Sequence, residues 1–325
     1  MGIKNKHIVY SYLYEVIQAI YFLFGNSFMS VSNNNGRALE AKLVDVLCQR
    51  NSNISLLGTT AQDQQRDLVY FSDLPQLQQQ LFTDFSIKYS GELSVGNIKT
   101  IERLKDSAAV AGDVTDIRIG YGNNIFKNIS LKHNHDACKH QRPAALIKNQ
   151  LGIQNPSLDK QYRSDLKAIE NRFKALVLPT DIDEKGNFVF RAVKARVPNS
   201  ITDLYRDVCN LVKKYLTNHT TPASIQRYFR FLVGNTDFEK VTLDPNSRLI
   251  LIKDFSNIQN ATSITNISIN SQNGYLVVQF DNNFILNMRL HTASSKFKLT
   301  SSLSLKFDST VDMNNAPVPR KTIPF

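Results

Sequence analysis

Apolar residues recur at helical spacing along several stretches of the chain. Within residues 32–50, Leu39, Leu43 and Leu47 fall four positions apart and would form one face of a helix. The asparagine run that ends at Gly36 is expected to start this helix. The same spacing predicts further helices over 62–91, with a break near Pro75, and over 97–106, 137–150, 157–176, 201–216 and 223–233.

Alternation of apolar and polar residues predicts strands in other parts of the chain. The strands that matter most are 113–119 and 125–133, and a further strand is predicted over 187–197. Alternating runs dominate the last quarter of the chain. The dipeptide Asn273-Gly274 between two of these runs is typical of a hairpin turn, so the C-terminal end is expected to be rich in β-structure.

The order of these elements predicts three parts. An α/β core over 31–198 would contain a mixed β-sheet flanked by helices, and 199–325 would be helical and then β-rich. An apolar extension over 1–30 precedes them. Residues 8–24 imitate a signal peptide or a short membrane span. Because Glu15 and other polar residues interrupt the run, a helix packed on the body, or an extension from an upstream start codon, is favoured.

The two strands predicted around residue 120 carry one acid and one lysine toward the same place. Strand residues alternate faces, so Asp116 lies opposite the face of Ile117, and Lys132 lies opposite the face of Leu131. If the apolar faces enter a core, Asp116 and Lys132 can meet on the other side. An Asp that holds a divalent cation beside a Lys that polarises a phosphate or a water can cut a phosphodiester bond.

This arrangement resembles the PD-(D/E)xK nuclease superfamily, in which an Asp begins one strand segment and an acidic-x-Lys triplet lies on the next. Asp116 matches the Asp and Lys132 matches the Lys. Ser130 stands where the family usually has Glu or Asp, and it is expected to contribute a hydrogen bond to a metal-bound water. Because serine is a poor cation ligand, Glu40 is the candidate that completes the metal site with Asp116, and Asp113 is a further candidate.

The same residues have ordinary structural interpretations. Asp116 and Lys132 could be a surface acid and a surface lysine on adjacent strands. Glu40 could be a favourable negative charge at a helix N-terminus. Asp113 could cap the turn that follows Gly112.

Three segments are together similar to the HaeIII-type type II restriction endonucleases. They are Gly-Arg-Ala-Leu-Glu at the end of 34–40, Gly-Asp-Val-x-Asp-Ile over 112–117, and Ser-x-Lys-His-Asn-His-Asp-Ala-x-Lys-His-x-Arg over 130–142. The resemblance implies a PD-(D/E)xK-type core and Mg2+-dependent cleavage of double-stranded DNA at GGCC. It also implies a cognate DNA methyltransferase as a functional partner. One site per chain on a palindrome leaves open either a homodimer or two sequential nicks.

The charge of the chain suits a polyanionic partner. The formal net charge is +11 and the sequence pI is about 9.5. Residues 121–180 hold 10 Lys plus Arg against 4 Asp plus Glu, so the excess follows the candidate site directly. Lys139 and Arg142 are predicted to contact backbone phosphates, although they could instead form a solvated helix face. Asn134 and His135 are predicted as further DNA contacts.

Other polar clusters give weaker signals. His133, His135 and His140 could suggest zinc, but phosphate contact or structural hydrogen bonding is favoured. The adjacent residues His-Asn-His over 133–135 do not form an HNH nuclease motif, which would need a hairpin and spaced histidines. Arg227 and Arg230 share a helix face and could read guanine, although the basic exterior of an amphipathic helix is favoured. Three scattered cysteines argue against disulfides and fit a reducing cytoplasm.

The sequence therefore predicts a cytoplasmic, site-specific deoxyribonuclease with no membrane partner. Two alternatives stay open. One is a repair or recombination nuclease built on the same core. The other is a DNA-binding protein that has lost catalysis, which Ser130 makes conceivable.

Overall fold

The computed structural model describes residues 28–105, 112–133, 137–270, 274–292 and 294–325, with side chains from residue 34 onward. The predictions made for 8–24, Asn134, His135 and Asn273 lie outside the described residues. In the described part of the chain, no helix combines the length and the apolar character that crossing a membrane requires.

The α-helices and strands follow one another in mixed order. The helices are α1 Phe28–Arg50, α2 Thr60–Ser72, α3 Gln76–Ser90, α4 Pro156–Lys174, α5 Phe190–Arg196, α6 Ser200–Asn218 and α7 Pro222–Val233. The strands are β1 Ser55–Leu56, β2 Thr100–Arg103, β3 Ile117–Gly122, β4 Ile125–His133, β5 Lys139–Gln141, β6 Phe188–Val189, β7 Glu239–Asp244, β8 Leu249–Asp254, β9 Ile264–Asn270, β10 Tyr275–Phe280, β11 Ile285–Thr292, β12 Lys296–Phe297, β13 Leu305–Val311 and β14 Arg320–Pro324.

A seven-stranded mixed sheet carries the candidate site. Its order is β1-β2-β3-β4-β7-β8-β14, with β1 parallel to β2 and β4 parallel to β7, and the other neighbours antiparallel. The pair β3 and β4 forms a hairpin in which Ile117 faces Ile129. The predicted α/β class, with a mixed sheet flanked by helices, is confirmed.

Helices α1 and α3 cover one face of this sheet. The face is apolar where alternate residues of β3 and β4 are large aliphatics, and Ile117, Ile119, Ile129 and Leu131 are all buried against the helices. The other face of these two strands carries Ser130 and charged residues, as the alternation predicts. Burial of the aliphatic face therefore fixes which side chains can reach the candidate site.

A second sheet, of five antiparallel strands in the order β5-β13-β11-β10-β9, packs with α4, α6 and α7 around a second core. Strand β5 follows closely after β4 in the chain, so the chain leaves the first sheet near the candidate site and enters the second sheet at its edge. The first sheet also contains strands from both sides of residue 198. The division into folding units at that residue stays a prediction.

Several local predictions are wrong. The segment 97–106 is not a helix but a short 3-10 turn followed by β2, and 137–150 contains β5, a 3-10 turn and a π-helical turn. The segment 187–197 is a strand only at β6 and continues as α5. Helix α1 begins before the asparagine run, so Gly36 lies inside the helix and does not start it.

Candidate active site

Asp116 lies at the entry to β3 and is held there by the neighbouring strand. Its backbone N–H donates to the Ile129 carbonyl at 2.8 Å. Its carboxylate oxygen Oδ2 accepts from the Leu131 backbone N–H at 2.7 Å, from Lys132 Nζ at 2.9 Å and from Ser130 Oγ at 3.3 Å. The structure therefore brings together Asp116, Ser130 and Lys132, as their shared face predicted.

The second oxygen of Asp116 differs from the first. No residue in the described part of the chain donates a hydrogen bond to Oδ1, whereas three donors converge on Oδ2. One oxygen of the carboxylate is thus fixed by the protein and the other is available to a ligand. Three donors on one atom also determine the direction in which the available oxygen points.

Glu40 approaches this pair from α1. It lies 12 residues after Phe28, the first residue of the helix, so the alternative interpretation as a helix-start charge is wrong. Burial and the nearby Asp116 carboxylate raise the pKa of Glu40 from the ordinary 4.5 to about 7, although Arg103 and Lys132 act in the opposite direction. Glu40, Asp116 and Lys132 therefore form one electrostatic cluster.

Arg103 on β2 holds Glu40 in place, and no motif in the sequence indicates this role. Its Nη2 donates to Glu40 Oε2 at 2.9 Å and to Asp67 Oδ2 at 2.7 Å, with Gln64 Oε1 at 3.4 Å from Nη1. The side chains of Arg103 and Asp67 are 5% and 0% exposed. A buried guanidinium shared by two carboxylates leaves Glu40 little freedom to move.

This group of residues fits a hard divalent cation. The Asp116 carboxylate raises the pKa of Glu40, and a cation placed between the two groups would relieve this repulsion. Mg2+ prefers carboxylate oxygens. The oxygen atoms that could bind such an ion belong to Asp116, through Oδ1, and to the Glu40 carboxylate. The Ser130 hydroxyl already donates a hydrogen bond to Asp116 Oδ2. The donor set thus agrees with a magnesium site that retains several waters.

Asp113 is placed differently from the other acids. Its Oδ1 accepts from the Thr115 backbone N–H at 2.9 Å and from Thr236 Oγ1 at 3.2 Å, and its Oδ2 accepts from Arg118 Nη2 at 3.1 Å. Both oxygens are therefore used within the protein, as expected of a residue that caps the turn after Gly112. A metal contact by Asp113 stays a prediction.

Asp116 and Lys132 line a cleft of about 550 Å³, and Lys139, His140 and Arg142 form part of the same wall. Lys139 is 7% exposed, and its Nζ lies 3.8 Å from the centre of the Phe231 ring and makes no hydrogen bond to any described residue. Burial lowers the pKa of Lys139 to about 8, partly offset by Asp113. An unpaired amine in the wall of a cleft is suited to receive an anionic group.

The comparison with known families decides the class of protein. The family model for HaeIII restriction endonuclease matches residues 91–262, more than half of the chain, and the match includes Asp116, Ser130 and Lys132. The chain belongs to the HaeIII restriction endonuclease family. No curated protein and no solved structure gave a significant match.

Membership of the HaeIII family makes the chain a nuclease that acts on DNA, and restriction endonucleases generally use Mg2+. Arg142 is exposed at the cleft, and because β5 replaces the predicted helix, the alternative of a solvated helix face for Lys139 and Arg142 is wrong. His133 packs edge-on against Phe82 with ring centroids 5.2 Å apart, so it belongs to the core side.

The two arginines of α7 have structural partners. Arg230 donates from Nη2 to the Ile258 carbonyl at 2.6 Å and contacts Asn260, and Arg227 lies against Asn149 and Gly152. These contacts agree with the favoured interpretation, in which neither arginine reads a base.

Proposed function

We propose that this HaeIII-family member is a type II restriction endonuclease that cuts both strands of duplex DNA within GGCC and depends on Mg2+. The observation that carries the catalytic part is the electrostatic cluster of Lys132, Asp116 and Glu40, in which Lys132 and Asp116 line a cleft with basic walls. The GGCC specificity is supported by the family match and by the three matching segments of the sequence.

Asp116 Oδ1 and Glu40 would hold the Mg2+ ion, with Asp113 as a further candidate. The bound ion supplies an activated water and offsets charge on the scissile phosphate. Three hydrogen-bond donors orient the Asp116 carboxylate, and the Arg103 guanidinium orients the Glu40 carboxylate. Ser130 keeps Asp116 Oδ2 in place, and its predicted contact to a metal-bound water uses the same hydroxyl.

Lys132 acts as a cation in this proposal. Burial alone would lower the pKa of Lys132, but the Asp116 carboxylate outweighs burial and the pKa lies above its ordinary value. A lysine that keeps its proton cannot serve as a general base in the free enzyme. Its role is then to orient the attacking water and to stabilise the negative charge that develops on the phosphate.

Lys139 and Arg142 would contact backbone phosphates along the cleft, and Asn134 and His135 are proposed as neighbouring DNA contacts. Phosphate contacts position the duplex without reading its sequence. The proposal includes a cytoplasmic location and a cognate methyltransferase that protects the host by methylating cytosine within GGCC. A methyl group in the major groove would block close approach to the base edges.

The test is a digest of a sequenced plasmid with the fragment ends mapped, in Mg2+ and in excess EDTA. Breaks confined to unmethylated GGCC are expected, and a smear or breaks elsewhere would instead indicate a repair or recombination nuclease. Time courses that show nicked circles before linear DNA would distinguish sequential nicking from a dimer.

Asp116→Ala and Lys132→Ala should each reduce cleavage on the order of a thousand-fold or more while DNA binding largely survives. Lys127→Ala is the matched control, because Lys127 lies on the same strand but pairs with Glu239 at 2.7 Å, away from the cleft. Near-normal turnover of either site variant would show that the active site lies elsewhere. If the wild-type protein binds DNA but does not cut in Mg2+, the protein is a binder that has lost catalysis.

A further inference from the structure

Two histidines and an aspartate converge on three neighbouring strands at one edge of the five-stranded sheet, outside the carboxylate site. His140 on β5 faces Asp308 on β13 directly, and His291 on β11 is the diagonal neighbour of Asp308 across the other strand pair. His140 Nδ1 contacts Asp308 Oδ1, and His291 Nε2 lies 2.8 Å from the same oxygen. One ligand atom from each residue lies within 4.8 Å of the others.

The contacts of His291 place one of its ring nitrogens against the Asp308 carboxylate. Its Nδ1 lies 3.1 Å from the Thr292 carbonyl oxygen, so Nδ1 carries the hydrogen and donates it. In the neutral ring, Nε2 then presents a lone pair to a carboxylate oxygen, which is repulsive. Nε2 is buried, and its neighbour is Asp308 Oδ1 at 2.8 Å. Either a proton on Nε2 or a metal ion between Nε2 and Asp308 removes the repulsion.

We propose that His140, His291 and Asp308 bind one divalent transition-metal ion of the zinc class. Imidazole is a borderline ligand, so two imidazoles favour Zn2+ over Mg2+, and zinc accepts a carboxylate as a further ligand. Arg289 Nη2 lies 3.4 Å from Asp308 Oδ2, which leaves Oδ1 as the oxygen toward the imidazoles. The His291 contact to the Thr292 carbonyl is the type of outer contact that orients metal-binding histidines.

The position of the cluster suggests what the ion does. It joins three neighbouring strands, and one of them is β5, a strand of three residues at the edge of the sheet. Strand β5 carries Lys139 into the cleft wall, and His140 is 53% exposed on the same cleft. A metal ion here would fasten the edge strand and leave a coordination position open toward the cleft. The inference does not depend on the proposed cleavage specificity.

The test is metal binding to the untagged full-length protein after EDTA treatment and gel filtration, since a polyhistidine tag would bind zinc itself. One equivalent of Zn2+ by elemental analysis is expected, together with visible d–d absorption when Co2+ is titrated in its place. His140→Ala and His291→Ala should each weaken Zn2+ binding by about tenfold to a hundredfold or more. His219→Ala is the matched control, because His219 is an exposed histidine at the end of α6.

Two further measurements make the result specific. Asp116→Asn should keep the full equivalent of Zn2+, which separates this site from the carboxylate site. Zn2+ should raise the melting temperature of the wild-type protein and of His219→Ala, but not of His140→Ala. Circular dichroism checks that His140→Ala, a change at an exposed side chain, keeps the wild-type fold. A wild-type protein that binds no Zn2+ at micromolar concentration, or a His140→Ala variant that keeps the equivalent, would overturn the proposal. In the first case the cluster is a proton-sharing His-Asp-His group.

Discussion

Glu40 should make the stability of the metal-free protein depend on pH, and Glu40→Gln should remove that dependence. The pKa of Glu40 in the folded protein is about 7, above its ordinary 4.5. The folded state therefore binds the proton more tightly than the unfolded chain does. The resulting stabilisation is fully present below pH 4.5 and is lost as the pH rises to about 7. At pH 8 the ionised Glu40 destabilises the fold, whereas a glutamine can accept the Arg103 hydrogen bond without a charge.

The magnitude follows from the two pKa values. Between 4.5 and about 7, at about 1.4 kcal/mol per pH unit, the destabilisation is at most about 3.5 kcal/mol. Because the side chain is 19% exposed, about 2 kcal/mol is a better expectation. For a chain of 325 residues this corresponds to roughly 3 °C in melting temperature. Glu40→Gln should therefore melt about 3 °C higher than wild type at pH 8, relative to their difference at pH 4.5.

The assay is thermal unfolding of wild type and Glu40→Gln in EDTA between pH 4.5 and 8.5. Glu184→Gln, an exposed change of the same kind, is the matched control and should show no pH-dependent difference. Adding Mg2+ at pH 8 should raise the melting temperature of wild type more than that of Glu40→Gln. If the difference in melting temperature between Glu40→Gln and wild type is the same at pH 4.5 and pH 8, then the pKa of Glu40 is not raised in the folded protein. The repulsion between Glu40 and Asp116 would then be absent.

Three further outcomes are expected. Glu40→Gln should slow cleavage more than it weakens DNA binding; full activity with unchanged Mg2+ dependence would exclude it as a ligand. Arg103→Met should lower the free energy of unfolding by about 3 kcal/mol in urea titrations, because it leaves the buried Asp67 with fewer partners, and a loss below about 1 kcal/mol would contradict this. Lys139→Ala and Arg142→Ala should each lower the salt slope of DNA binding by about one without changing the preferred site, and an altered site preference would instead assign that residue to base reading.

The sequence predicted the long amphipathic helices well, because their burial follows the helical period. Helices α4, α6 and α7 begin and end within two residues of the predicted bounds. The segment that contains β2 was misassigned because its alternation includes a buried arginine. Arg103 occupies a core-side position in the strand, and only its pairing with Asp67 and Glu40 makes that position tolerable. A pattern of apolar and polar letters cannot represent such a residue.

Long-range pairing explains the other errors. Strand β5 exists because it pairs with β13, more than 160 residues later in the chain. Helix α5 replaces most of a predicted strand, and its first residue, Phe190, stacks on Phe173 of α4 with ring centroids 4.8 Å apart. In both segments a distant partner determines the local conformation, and the local sequence does not contain that information.

The candidate site divides in the same way. Asp116 and Lys132 lie 16 residues apart on a hairpin, so parity alone could bring them together. Arg103 and its partner Asp67 could not be found by parity, because they lie on elements joined only by the fold. The sequence indicates only one member of the histidine cluster, His140, which lies among the predicted DNA contacts. His291 and Asp308, which complete the cluster, come from strands near the other end of the chain.

Ser130 does not by itself argue for a protein that has lost catalysis. Its side chain is buried and its hydroxyl lies 3.3 Å from Asp116 Oδ2, the oxygen that the Leu131 N–H and Lys132 also approach. A carboxylate at position 130 would place a negative charge beside that oxygen, whereas a hydroxyl can donate to it. In the proposed site, the second acid is Glu40 on a helix. That site would keep two carboxylates and one lysine, and the serine would help to orient Asp116.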